Sequence, residues 1–154
     1  KNITVNPSPL SFRINLGNAK EAVEPDEELT YLLRYKNNAG VSLEDVTISA
    51  RLTGEMFDIG TLETTGAADL LTQTLIWSPA QIKQLEILEP GDEGHVSFVI
   101  KVKKDYPARR QNQNFILRVD GRIESPTVPP PLNIPKTVNF SSLQIKVGAS
   151  SSEP

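Results

Sequence analysis

His95 is the one histidine among the 154 residues, so any imidazole chemistry has to run through it. A Ser, His and Asp triad would use it as the base, but no G-x-S-x-G turn is present to hold a serine nucleophile. By strand parity His95 points away from the Val96 face and reads as a solvent-facing turn residue. Cysteine is absent, which excludes thiolate nucleophiles, thiolate metal sites and disulfides. Oxygen ligands are more plentiful: Glu24, Asp26, Glu27 and Glu28 form one acidic group, and Asp92 with Glu93 another. Both could offer carboxylates to calcium, which tolerates flexible coordination, yet neither has D-x-D-x-D-G loop spacing. The plainer reading is charged turns at the same end of the fold. A paired-carboxylate glycosidase needs two carboxyls about 5 to 10 Å apart in a cleft, and the sequence selects no such pair. The expectation is therefore no catalytic residue, no cofactor and no metal.

Binding chemistry leaves equally few candidates. Glycan modules stack sugars on exposed rings, but aromatics make up 6% of the chain, and most fall on core parity. Trp77, Tyr31, Tyr35, Phe98 and Phe115 read as packing. Tyr106, beside Pro107, is the ring expected in a loop and so the ligand-facing candidate. Asn2 and Asn139 stand in N-x-S/T patterns, which are too short to mark a modification site on their own. A Lys to Asn cross-link beside a buried carboxylate would suit a chain without Cys, but no spacing selects the pair. Net charge is −3, with acidic and basic residues interspersed. No positive field is available to hold a phosphate backbone, so nucleic acid is excluded as a partner.

Chemistry this sparse turns attention to the elements. Leu10, Phe12, Ile14 and Leu16 alternate with polar residues, the period of a strand with one wet face. Leu29, Tyr31, Leu33 and Tyr35 repeat the pattern, and N-N-A-G at 37–40 follows with residues that tolerate left-handed backbone. Val46, Ile48, Ala50 and Leu52 make a third strand. A looser segment around M-F-D-I-G-T-L is expected to give a short edge strand before a small-residue loop, T-T-G-A-A-D. T-L-I-W is the next strand. Ser78 and Pro79 suit the cap and first position of a helical turn that plugs one end of the core. E-P-G-D-E-G is a turn. Val96, Phe98, Ile100 and Val102 form the clearest alternation, and Phe115, Leu117, Val119 and Ile123 continue it. Residues 125–136, rich in proline, form an extended crossover. In the last strand, 137–147, Val138 and Phe140 have one parity while Leu143, Ile145 and Val147 have the other, so a bulge or a change of sheet near Ser141 and Ser142 is expected.

These elements amount to an all-β fold, an immunoglobulin-like antiparallel β-sandwich of seven to eight strands, with a barrel as the alternative. One domain is expected over 1–148, with 149–154 a linker or tail. The final strand is expected to close within its own chain, exchange between copies being the alternative.

The order of pieces carries a resemblance. E-E-L-T-Y-L-L-R-Y-K-N-N-A-G, S-L-E-D-V-T-I-S-A-R-L, L-I-W and L-E-P-G-D-E-G-H-V-S-F-V-I-K-V together resemble the conserved-repeat family of bacterial surface proteins, immunoglobulin-like domains of unknown function. The matching positions are Asn37, Asn38 and Gly40, then Val46 to Ile48, then Trp77, then Leu88, Pro90 and Gly91. The resemblance covers about Phe12 to Glu124; R-L-T-G-E-M-F-D-I-G and the proline-rich crossover depart from it. It implies a non-catalytic module strung in arrays or stalks on a bacterial surface or in a secreted protein. Its partners would be neighbouring domains of the same protein, with protein or glycan ligands as further possibilities. The chain opens on Lys1 and contains no apolar run of membrane-spanning length, so membrane attachment is expected only through an anchor elsewhere in the parent chain. The alternative reading is a carbohydrate-binding accessory module.

Overall fold

A computed structural model describes residues 9–17, 22–105, 115–126 and 136–147. The first strand, β1 (Leu10–Leu16), pairs antiparallel with β3 (Glu28–Asn37). On its other side β3 pairs with β10 (Glu93–Val102), which in turn pairs with β6 (Phe57–Thr64). The sheet order is β1-β3-β10-β6. The second sheet runs β2-β12-β11-β5-β8-β7, where β2 is Ala22–Val23, β5 Thr47–Thr53, β7 Ala67–Asp69, β8 Thr74–Trp77, β11 Phe115–Ser125 and β12 Thr137–Val147. Four strands against a C-F-G-like set is the immunoglobulin arrangement. Eight strands have four or more residues, the number expected from the alternation.

The alternation has the cause expected of it. Leu10, Phe12 and Ile14 on β1, Leu29, Tyr31, Leu33 and Tyr35 on β3, and Val96, Phe98, Ile100 and Val102 on β10 are buried against Ile48, Ala50, Leu52, Leu117, Val119 and Ile123 of the other sheet. Between the layers runs an aromatic chain. Trp77 stacks on Phe98 at 6.3 Å, Phe98 on Tyr31 at 4.9 Å, and Tyr31 meets Phe57 at 6.4 Å. Tyr31 contributes its ring alone: its hydroxyl is buried without a hydrogen-bond partner among the described residues, and burial pushes its pKa up.

One pole of the sandwich is closed by the segment after Trp77. Ser78 caps a turn there, its hydroxyl accepting from Ala80 N at 3.2 Å. A single 3-10 turn at Lys83–Glu86 follows, and Leu85 is buried. Ile87–Leu88 (β9) pairs with Leu43–Glu44 (β4), so the expected plug is present.

Four expectations need correction. The segment around Met56 yields an eight-residue strand, β6, rather than a short one, because Thr61 inserts its hydroxyl beneath Lys101 N at 2.9 Å and carries the pairing past a register shift. T-T-G-A-A-D is not all loop: Ala67–Asp69 adds an exposed edge strand to β8. The turn after β3 does not use left-handed backbone; among the described non-glycine residues that conformation falls at Asp26, Asp45 and Gln73. Finally, β12 has no bulge. Its register against β11 runs unbroken from Val147 opposite Phe115 to Thr137 opposite Ser125. Thr137, Asn139 and Ser141 therefore face inward with Ile145 and Val147, and Phe140 faces out.

The inward polar residues have a task. β1 is an edge strand whose outer side lacks a neighbour in its own sheet, and unpaired backbone groups must find partners. Asn139 Nδ2 donates to Leu10 O at 2.8 Å, and Ile14 N donates to Ser141 Oγ at 3.1 Å. Side chains of one sheet thus seal the open edge of the other.

Candidate functional site

His95 lies within β10, not in a turn, and its exposed side chain sits directly opposite Arg34. Its partner in the register is therefore a cation and not a carboxylate that could orient an imidazole base. The acidic groups also have structural roles. Glu27 Oε1 accepts from Glu24 N at 2.9 Å, and Asp92 Oδ2 accepts from Glu89 N at 2.9 Å. They sit at opposite poles, not the same one, since β3 begins beside the first group and ends beside the second. Among the described residues no cluster of three or more His, Asp or Glu could hold a metal ion. The buried polar side chains there are Asn37, Ser125 and Thr137, with no lysine or carboxylate to form a cross-link. Tyr106 lies outside the described residues.

Asn37 is the polar residue whose role the sequence understated. It is fully buried, yet every polar group it carries is satisfied. Its Nδ2 donates to Val41 O at 2.9 Å and Leu88 O at 2.7 Å, and its Oδ1 accepts from Ala39 N at 2.8 Å. Its backbone N donates to Asp92 O at 2.9 Å and its carbonyl accepts from Gly91 N at 2.8 Å. Gly91 has φ of +86°, a conformation that L side chains rarely adopt. Asn37 and the Leu88 to Asp92 turn are therefore one hydrogen-bonded unit. What reads in sequence as two separate motifs is a single clamp.

The outer face of the six-stranded sheet carries the one exposed aromatic ring among the described residues. Phe140, 65% exposed, is paired across the strands with Arg122, whose guanidinium carbon lies 5.8 Å from the ring centroid. Arg122 Nη2 bonds Glu124 Oε1 at 2.6 Å, and Lys136 Nζ lies 3.6 Å from the same oxygen. Arg122 and Glu124 border a hollow of about 200 Å³ with Thr47, Ser49 and Ile76. An exposed ring beside fixed donors and acceptors is what sugar recognition uses. Farther along this face is Asp120. Burial raises its pKa, but bonds from Ser142 and Arg118, with the charges of Arg118 and Arg51, outweigh that and hold it below the ordinary carboxylate value. Sequence reasoning gave Phe140 only a shared parity with Val138 and did not single it out; its outward place follows from the unbroken register of β12 against β11.

No family model matches the chain, and no curated relative matches it. Solved structures do. The CARDB domain of a Pyrococcus furiosus protein, solved in complex with di-metal ions, is 14% identical, with a TM-score of 0.53, 96% of this chain covered and 95% of that one. A major pilin subunit of Bacillus cereus, BcpA, is 10% identical with a TM-score of 0.51; 90% of this chain aligns to 40% of that one. AvmM, which catalyses macrocyclization in alchivemycin A biosynthesis, is 6% identical with a TM-score of 0.54, and coverage is 92% and 91%. The chain thus shares an immunoglobulin-like sandwich with domains of very different purpose, and the fold alone does not assign its task.

Proposed function

We propose that this chain is a non-catalytic structural and interaction module of a bacterial cell-surface or secreted protein, acting as a stalk spacer or as an adhesion and assembly domain. The observation that carries the reading is the placement of the two outer strands. β1 begins at the pole of the Asn37 clamp, where Asn38 N donates to Pro9 O at 2.8 Å. β12 ends at the opposite pole, where Val147 pairs with Phe115 and, in parallel, with Val23. A first strand that begins at one pole and a last strand that ends at the other favour an end-to-end arrangement of neighbours. Pulling along that axis loads the hydrogen bonds of β12 to β11 and β2 in shear, since they lie across the strands. Support of a different kind comes from Leu71, 97% exposed on a hairpin tip that Asp69 Oδ1 fixes through Leu71 N at 3.1 Å. Such a knob suits contact with a neighbouring domain. The pilin likeness agrees with this use, and among the described residues no helix is long and apolar enough to cross a membrane. Solution scattering on two copies joined in tandem tests the reading.

A second reading, a carbohydrate-binding accessory module, is favoured by the Phe140 and Arg122 face. On that reading, retention on a glycan array is lost in Phe140→Ala while the fold is kept, because the ring is exposed and its removal opens no cavity. Silence of the unaltered protein across a broad array rejects it.

A further inference from the structure

The outer face of the four-stranded sheet carries a group of cations near the Asn37 pole. β3 lies between β1 and β10, and its register sets Arg13 opposite Arg34 and Arg34 opposite His95. In the adjoining row Lys36 lies between Ser11 and Glu93. Directly opposite side chains have Cβ atoms about 5 Å apart, and like charges at that spacing destabilise a sheet. Arg13, Arg34 and Lys36 are exposed, and none of them joins an ion pair among the described residues. On the other sheet, by contrast, Arg118 pairs with Asp120, and Arg122 and Lys136 share Glu124. Glu93 is the one carboxylate in the two rows. The three cations line a hollow of about 420 Å³ whose wall also includes Ser11, Phe12, Tyr35, Asn139 and Glu93, so three positive side chains face one negative one.

We propose that this hollow is a binding site for the carboxylate or phosphate groups of a small anionic ligand. Two guanidiniums held side by side match such groups through paired N–H donors, and a lysine adds a point charge. The hollow is of the size that takes a small ligand rather than a macromolecular groove. The chain as a whole is acidic, so the patch stands out as a local attractor. The proposal adds a ligand to the surface-module reading and does not depend on an end-to-end arrangement.

Titration calorimetry tests it with an oligogalacturonate as the carboxylate probe, inorganic phosphate as the phosphate probe and a dextran fragment as the neutral control. At low salt at least one anionic probe binds and dextran does not, and raising ionic strength to about 0.2 M weakens binding, because the contacts are exposed. Arg34→Gln and Arg13→Gln each reduce affinity by about tenfold, while the thermal midpoint holds or rises as like-charge repulsion is relieved. Arg118→Gln, on the opposite sheet, leaves binding unchanged. The proposal fails if neither anion binds at low salt, if dextran binds equally well, or if Arg118→Gln weakens binding as much as Arg34→Gln.

Discussion

Asn37→Ala is expected to lower the stability of the domain by about 3 kcal/mol, far more than an exposed turn asparagine would cost. The substitution removes the donor to Val41 O and Leu88 O and the acceptor for Ala39 N. Leu88 O is the partner lost at a fully buried position, so it gains no water in exchange. Each buried group left unsatisfied costs about 1 to 3 kcal/mol. Asn37→Asp is a sharper version: the carboxylate keeps the acceptor but faces two carbonyl oxygens in place of the donor, so it should be at least as damaging near pH 7. Urea denaturation checks both, with the midpoint falling and the slope unchanged. A loss below about 1 kcal/mol for the alanine variant would mean that the two turns hold each other without the clamp.

Trp77→Ala is expected to cost about 4 kcal/mol. The indole is wholly buried and is the point where the six-stranded sheet enters the aromatic chain, through Phe98 and Tyr31 to Phe57. It is also roofed closely: a Cβ at Gly66 would lie 2.9 Å from the indole Nε1 and 2.7 Å from Ile76 O, so the β6 to β7 corner sits tightly over it. Its Nε1 donates to Thr65 Oγ1 at 3.2 Å, a bond lost with the ring. The void cannot collapse easily where backbone is already this close. Trp77→Phe keeps a ring against Phe98 and is expected to cost about half as much. Because Trp77 is the one tryptophan, the transition must be followed by circular dichroism rather than fluorescence. Equal losses for the two variants would indicate that the Nε1 bond, not the buried area, dominates.

The sandwich was legible because its cause is simple. Period-two burial on β1, β3, β5, β10 and β11 leaves the same trace in sequence as in space, and the turn at Gly91 announces itself through a residue type with few other uses. β12 resisted for an equally physical reason. Its inward positions 139 and 141 are polar because they complete the edge of β1, a partner 127 residues away in the case of Ser141 and Ile14. Hydrophobicity alone reads polar-inward as outward, which is why the alternation pointed to a bulge or a change of sheet that the register does not contain. Residues near both poles show the same limit. Asn37 is a common turn residue by type, and only the strand pairing that brings Leu88 and Asp92 beside it turns it into a clamp. The basic row was hidden similarly, since Arg13, Arg34 and His95 are far apart in the chain and meet only through the β1 and β10 registers.

Solution scattering on two copies joined in tandem tests the central claim most directly. β3 alone has ten residues, which at about 3.3 Å each spans about 33 Å from pole to pole. If the two poles serve as entrance and exit, the second copy should extend the maximum dimension by about 35 Å and give a pair-distance distribution with two separated peaks. A tandem that folds back into one compact particle, its maximum dimension growing by less than about half that amount, would contradict the spacer account.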